Sequence, residues 1–205
     1  MKTFRKSLIF VPKDEITKED IIETILFIIN KILDYTSTLQ QKTPSVFDIK
    51  YLEQEADNDS ASTNTSSNDE SFSDISPKNS MEKYTLTDYF YFWVKKFEFG
   101  EDLLILTMMN IDKILAKQFI LNSDNVKNLL YTCMVVTQKY YEDVIFNDKN
   151  YSKIGGYKTE ELINMEVEFL ELLDFSLHIK EEEFIKYKAK MINLWRDNLF
   201  YLSFS

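Results

Sequence analysis

Apolar side chains recur at helical spacing along most of this chain, and no stretch shows the alternation of a β-strand. Residues 14–40 carry isoleucine and leucine on one wide stripe that runs from Ile21 to Leu33. At the start of this stretch, Thr17 and Asp20 have the spacing of a capping box. The pattern therefore predicts an amphipathic first helix that packs on the rest of the protein.

Five further helices are predicted in the second half of the chain. They cover residues 85–98, 101–118, 123–142, 159–174 and 180–195, with a loop at 147–156. The helix at 101–118 is apolar on almost every face, which is typical of a helix surrounded by others. The predicted fold class is all-α: a unit of five helices that includes this central one, preceded by the amphipathic helix.

A polar, acidic stretch from 55 to 80 separates the first helix from the others. It contains too few apolar residues to offset the entropy lost on ordering, so we predict that it is disordered. Ser66 and Ser67 precede acidic residues and Ser76 precedes a proline, which makes all three candidate phosphorylation sites. A solvated insertion without a regulatory role is the alternative.

The composition changes define four segments. They are the amphipathic helix with its flanks (1–48), the low-complexity insertion (49–82), the helical unit (83–195) and a tail (196–205).

Charge and cysteine content exclude several classes of function. The net charge of -10 leaves no basic footprint for nucleic acid and no polybasic membrane surface. The apolar run near the N-terminus ends too early, at Pro12, for a secretory signal, and no window is long enough for a membrane span. Cys133 lies in an apolar helix and we expect it to be buried. A single cysteine allows no internal disulfide, which favours the cytoplasm or nucleus.

The residues that build active sites are scarce. His178 is the single histidine, which removes multi-histidine metal sites, and the three glycines do not form a phosphate-binding loop. We therefore predict no catalytic residue, no metal and no cofactor, although a small helical enzyme remains an alternative.

Two charges lie inside otherwise apolar helical faces, Lys139 and Glu166. Charges in such positions cost desolvation free energy unless a partner satisfies them. From the residues alone, an internal salt bridge between two helices and a surface completed by a second protein are both possible. The second possibility points to a binding module.

Three motifs surround these charges in a fixed order. They are KYYED at 139–143, YSKIGG at 151–156, and ELINME at 161–166, the last followed by Phe169-Leu170 and Asp174-Phe175. Their order and spacing resemble the second half of a cyclin box, in particular that of the P-type (U-type) cyclins. The runs at 86–90 and 110–115 are similar to the opening and the central helix of such a box. The resemblance covers roughly residues 84–188 and implies a single five-helix cyclin box preceded by an extra helix.

The resemblance implies a function as well as a fold. It implies a regulatory subunit that binds and activates a cyclin-dependent protein kinase, with Lys139 and Glu166 contacting the backbone at the kinase αC helix. We expect Tyr140 and Phe146 to add to that contact, Phe146 being the better candidate because it lies past its helix. A cyclin-box scaffold that binds no kinase, in the manner of a transcription factor, is the alternative.

The sequence also departs from the family pattern in three places. Gln138 stands where a small residue is usual and Lys113 where an arginine is usual. The docking patch of A-type cyclins has no counterpart.

Overall fold

Helices make up the regular structure of the computed structural model, which describes residues 16–38, 47 and 84–202, the last five of them by their backbone. The described residues contain no strand. The helices are α1 (Lys18–Thr36), α2 (Leu86–Lys96), α3 (Glu101–Ala116), α4 (Val126–Tyr141), α5 (Asp148–Gly155), α6 (Thr159–Leu172) and α7 (Glu181–Leu202). The predicted all-α fold class is confirmed.

The central helix of the fold is α3. Its residues from Leu103 to Ile111 are all buried, as expected for a helix that is apolar on almost every face. It packs against α1, α4 and α7. The predicted central position is therefore confirmed.

The extra helix α1 begins at the capping box that the sequence predicts. The Thr17 N–H donates to Asp20 Oδ2 at 2.8 Å, and the Asp20 N–H donates to Thr17 Oγ1 at 3.3 Å. Ile21, Ile25 and Ile29 are buried where α1 packs on α3 and α7. The extra amphipathic helix is thus part of the same core as the helices that follow.

The predicted loop at 147–156 is wrong, because most of it forms the short helix α5. Asn147 caps this helix: its side-chain oxygen accepts from the Asn150 N–H at 2.8 Å. Tyr151 and Ser152 are buried, and Gly156, with a φ of 79°, ends the helix in the left-handed conformation. The box therefore has six helices rather than five among its described residues.

Helix α4 carries the core up to the point where the candidate site begins. Residues 128–138 are all buried, and exposure starts with Lys139 and Tyr140. The last buried residue, Gln138, donates to the Phe97 carbonyl at 3.0 Å and accepts from the Tyr151 hydroxyl at 3.0 Å. Gln138 thus ties α4 to the end of α2 and to α5. Its long amide makes contacts that a small residue could not make.

Candidate interaction site

Lys139 lies at the centre of a cluster of three charges. Its Nζ is 2.7 Å from Glu166 Oε1, 2.8 Å from Glu166 Oε2 and 2.6 Å from Asp148 Oδ1. The cluster joins the end of α4, the start of α5 and the middle of α6. We refer to Lys139, Asp148 and Glu166 as the charge cluster.

In the free chain Lys139 and Glu166 bridge two helices, the first of the two possibilities that the sequence left open. They form an ion pair with each other, and Asp148 contributes a third charge that sequence reasoning missed. The three side chains differ in exposure: 15% for Glu166, 21% for Lys139 and 48% for Asp148. The cluster is half-buried, so solvent or a partner can still reach it.

Electrostatics and hydrogen-bonding capacity limit what this cluster can do. Burial raises the pKa of the Glu166 carboxyl, and the hydrogen bond from Lys139 opposes that shift. The ammonium has three donors, and all three are used by carboxylate oxygens. The oxygens of Glu166 keep further lone pairs. The cluster can therefore accept N–H groups directly, whereas Lys139 can donate to a new acceptor only by giving up a present one.

Aromatic packing fixes the position of α5 and hence of Asp148. The Tyr131 hydroxyl donates to the carbonyl of Tyr151, and the Tyr151 ring lies 5.4 Å from Lys139 Nζ. Tyr151 also packs edge-on against Phe97 at 5.4 Å between ring centroids. The lysine is thus held over a buried aromatic ring as well as by two carboxylates.

Exposed apolar side chains concentrate in the segment of the chain that contains the charge cluster. Of the described residues, twelve large apolar side chains are exposed, and seven of these lie between 140 and 175. The seven are Tyr140, Val144, Ile145, Phe146, Ile163, Val167 and Phe175. Monomeric proteins seldom leave large apolar patches in water unless a partner covers them.

Both aromatic candidates from the sequence belong to this set. Tyr140 is 49% exposed and follows Lys139 directly, while its ring packs on that of Tyr141. Phe146 is 37% exposed and rests on Tyr151, with ring centroids 5.5 Å apart. The structure therefore brings both aromatic candidates into the neighbourhood of the charge cluster.

Phe175 is a further candidate, and sequence reasoning missed it although it lies within the last of the three motifs. Asp174 and Phe175 have φ values of 50° and 57°, so two consecutive non-glycine residues adopt the left-handed conformation. Lys113 holds the following segment, since its Nζ donates to the Ser176 carbonyl at 3.0 Å. Phe175 is left exposed by this turn. The sequence signal for Phe175 is an aromatic residue directly after Asp174, in the segment that connects two helices.

The remaining sequence candidates lie elsewhere. Ser66, Ser67 and Ser76 fall outside the described residues. His178 is exposed beyond the end of α6, and Cys133 is buried with a raised thiol pKa because of that burial.

Within the part of the chain that the structure describes, no group of histidine, cysteine or acidic side chains is arranged to hold a metal ion. No helix in the same residues has both the length and the apolar character that a membrane crossing requires.

The sequence is similar to one protein family and to several known proteins. A family model described as "Cyclin" matches residues 30–177. PHO85 cyclin-7 of Saccharomyces cerevisiae is 36% identical over 83 residues, which is 40% of this chain and 29% of that protein. Cyclin-U2-1 of Arabidopsis thaliana is 33% identical over 90 residues, 43% of this chain and 40% of that protein. The matching part of the chain thus spans less than half the length of either relative.

Proposed function

This chain belongs to the cyclin family, and from that premise we propose that it is the regulatory subunit of a cyclin-dependent protein kinase. In this proposal it binds the kinase and activates it by positioning the kinase αC helix. The chain itself performs no phosphoryl transfer.

One observation carries the proposal: a half-buried ion pair lies among exposed apolar side chains. Lys139 Nζ is 2.7 Å from Glu166 Oε1, and Ile163 and Val167 are exposed on the same helix as Glu166. A charged pair with an apolar surround is the arrangement of an interface centre, where polar groups fix orientation and apolar groups contribute area. These residues coincide with the motifs in which the sequence resembles P-type cyclins.

The chemistry of the charge cluster suits contact with the end of a helix. Glu166 has free lone pairs for backbone N–H groups, and a carboxylate is favoured beside the positive end of a helix dipole. Lys139 donates to a backbone carbonyl of the kinase in exchange for Asp148, the more exposed of its two acceptors. Backbone contacts of this kind do not depend on the identity of the partner's side chains.

Activation follows from differential binding. A cyclin that contacts the αC helix only when it is turned inward stabilises the active kinase, because a ligand shifts an equilibrium by its preference for one state. In that state the αC glutamate pairs with the lysine that positions ATP. Tyr140, Phe146 and Phe175 are the apolar residues that we propose cover the moving helix.

The names of the relatives suggest a first candidate for the partner. Two of them are named as cyclins of PHO85, PHO85 cyclin-7 and PHO85 cyclin-6. We therefore propose a kinase of the PHO85 type from the same cell as this chain.

A reconstitution experiment tests the proposed function. Purified cyclin-dependent kinases from the same organism are assayed for phosphate transfer to a protein substrate, alone and with this chain. We expect at least one kinase to bind the chain and to gain activity from it. Binding without a gain in activity would favour the scaffold alternative. No binding to any of these kinases would overturn the proposal.

A further inference from the structure

The surface around the charge cluster is negatively charged, and this charge limits the kind of partner that can bind there. Resting on the proposed function, we infer that this surface selects a partner segment with basic side chains beside apolar ones. We call Glu160, Ile163, Val167 and Glu171 on α6, together with the charge cluster, the acidic-apolar face.

Negative charge is concentrated in this part of the chain. Residues 139–175 contain nine acidic and four basic residues, a net charge of -5. These 37 positions therefore carry half of the chain's net charge of -10. Helix α6 alone has five glutamates and no basic residue.

The one lysine at the centre of the face does not offset this charge. Lys139 is already paired with two carboxylates, Asp148 and Glu166, so the charge cluster has a net charge of -1. A partner that approaches this face meets carboxylates from both α5 and α6.

The glutamates are placed to flank the apolar contact. Glu160, Ile163, Val167 and Glu171 follow one another at intervals of three, four and four, which puts them on one side of α6. Both glutamates are exposed, and within the described residues neither side chain has an ion pair or hydrogen bond. The exposed pair Ile163 and Val167 thus lies between two free carboxylates.

Charge complementarity indicates which kind of partner binds the acidic-apolar face. Apolar contact supplies affinity, while carboxylates at its rim attract a basic partner and repel an acidic one. A second copy of this chain would bring the same -5 segment against itself, which disfavours a homodimer through this face. The occupant that fits is a kinase segment whose lysine or arginine side chains lie beside apolar residues.

The test compares association rates with the kinase recovered in the reconstitution experiment. The double variant Glu160→Gln, Glu171→Gln removes two charges from the acidic-apolar face. Its matched control is Glu19→Gln, Glu23→Gln on α1, where both glutamates are exposed and Glu19, like Glu160, lies in the first turn of its helix. Measurement at about 0.1 M salt limits the comparison to charges within roughly 10 Å of the contact.

We expect the α6 variant to associate at least about threefold more slowly than the control, and the wild-type rate to fall about tenfold or more as salt is raised. Equal rates for the two variants together with salt-independent binding would overturn the inference while leaving the proposed function intact. A homodimer that is lost on Ile163→Ser, Val167→Ser would also overturn it. Failure of every kinase to bind at any salt would instead contradict the proposed function.

Discussion

Gly155 lies so close to Tyr131 that no side chain fits between them. A Cβ at Gly155 would lie 2.5 Å from Tyr131 Cε1 and 2.5 Å from Tyr157 Cδ2, and the Tyr131 ring is buried. This contact seats α5 against α4 and so determines where Asp148 meets Lys139.

We therefore expect Gly155→Ala to destabilise the fold by about 1–3 kcal/mol, the usual cost of overpacking a core. Chemical denaturation measures this directly. Gly100→Ala is the matched control, because a Cβ there has no atom within 4 Å and its φ is -77°. Equal stability of the two variants would show that α5 moves away from α4 at no cost.

A second prediction concerns the pairing of α3 with the last helix. The Tyr187 hydroxyl donates to Asp112 Oδ2 at 2.6 Å. Burial raises the pKa of the Asp112 carboxyl from its ordinary 3.8, and this hydrogen bond opposes the shift. With a raised pKa, the folded state holds the proton more tightly than the unfolded chain, so this stabilisation is full below pH 3.8 and is lost as the pH rises through the folded pKa.

Asp112→Asn removes this titration and leaves an oxygen for Tyr187. We expect the variant to gain stability relative to the wild type as the pH rises above about 4. Tyr187→Phe keeps the carboxyl but loses the hydrogen bond that opposes the pKa shift, so its stability should fall over a wider pH range than that of the wild type. A difference between wild type and Asp112→Asn that does not change with pH would contradict the raised pKa.

A third prediction separates the roles within the charge cluster. Lys139→Ala leaves the carboxylates of Asp148 and Glu166 together without their cation, whereas Glu166→Ala leaves Lys139 paired with Asp148. We expect Lys139→Ala to cost about 1–3 kcal/mol of stability, the range for an unpaired half-buried polar group, and Glu166→Ala to cost less.

The double variant should be less destabilised than the sum of the single variants, since neighbouring groups do not add independently. Thermal or urea unfolding of the three proteins measures the coupling. Strict additivity would mean that the pair contributes no interaction of its own to the fold.

Local signals in the sequence predicted most of the fold. Thr17 and Thr85 cap their helices through the residue three positions later, so both starts could be read from short motifs. Helix α5 was missed because residues 148–155 contain few apolar residues, and its stability comes from Asn147 and from burial of Tyr151 under other helices. The contacts of Tyr151 join residues far apart in the sequence, such as its ring contact with Phe97 at the end of α2.

The candidate site shows the same limit. Lys139 and Glu166 could be singled out because a charge on an apolar helical face is locally unusual. Asp148 could not, because its hydrogen bond to Lys139 depends on how α5 docks and because the sequence predicts a loop at this position. The left-handed turn at Asp174 and Phe175 is likewise a tertiary effect, with Lys113 holding the segment that follows.

The most direct test of the central claim is the affinity of folded Lys139→Ala and Glu166→Ala for the activated kinase. If this pair is the centre of the kinase contact, each variant should weaken binding by about 2–5 kcal/mol, the cost of leaving a buried charged partner unpaired in an interface. Lys188→Ala, which removes a surface ion pair with Asp102 at 3.0 Å, is the matched control and should bind as the wild type does. Folded Lys139 and Glu166 variants that bind the kinase as tightly as the wild type would contradict the claim and leave the pair as a bridge between helices.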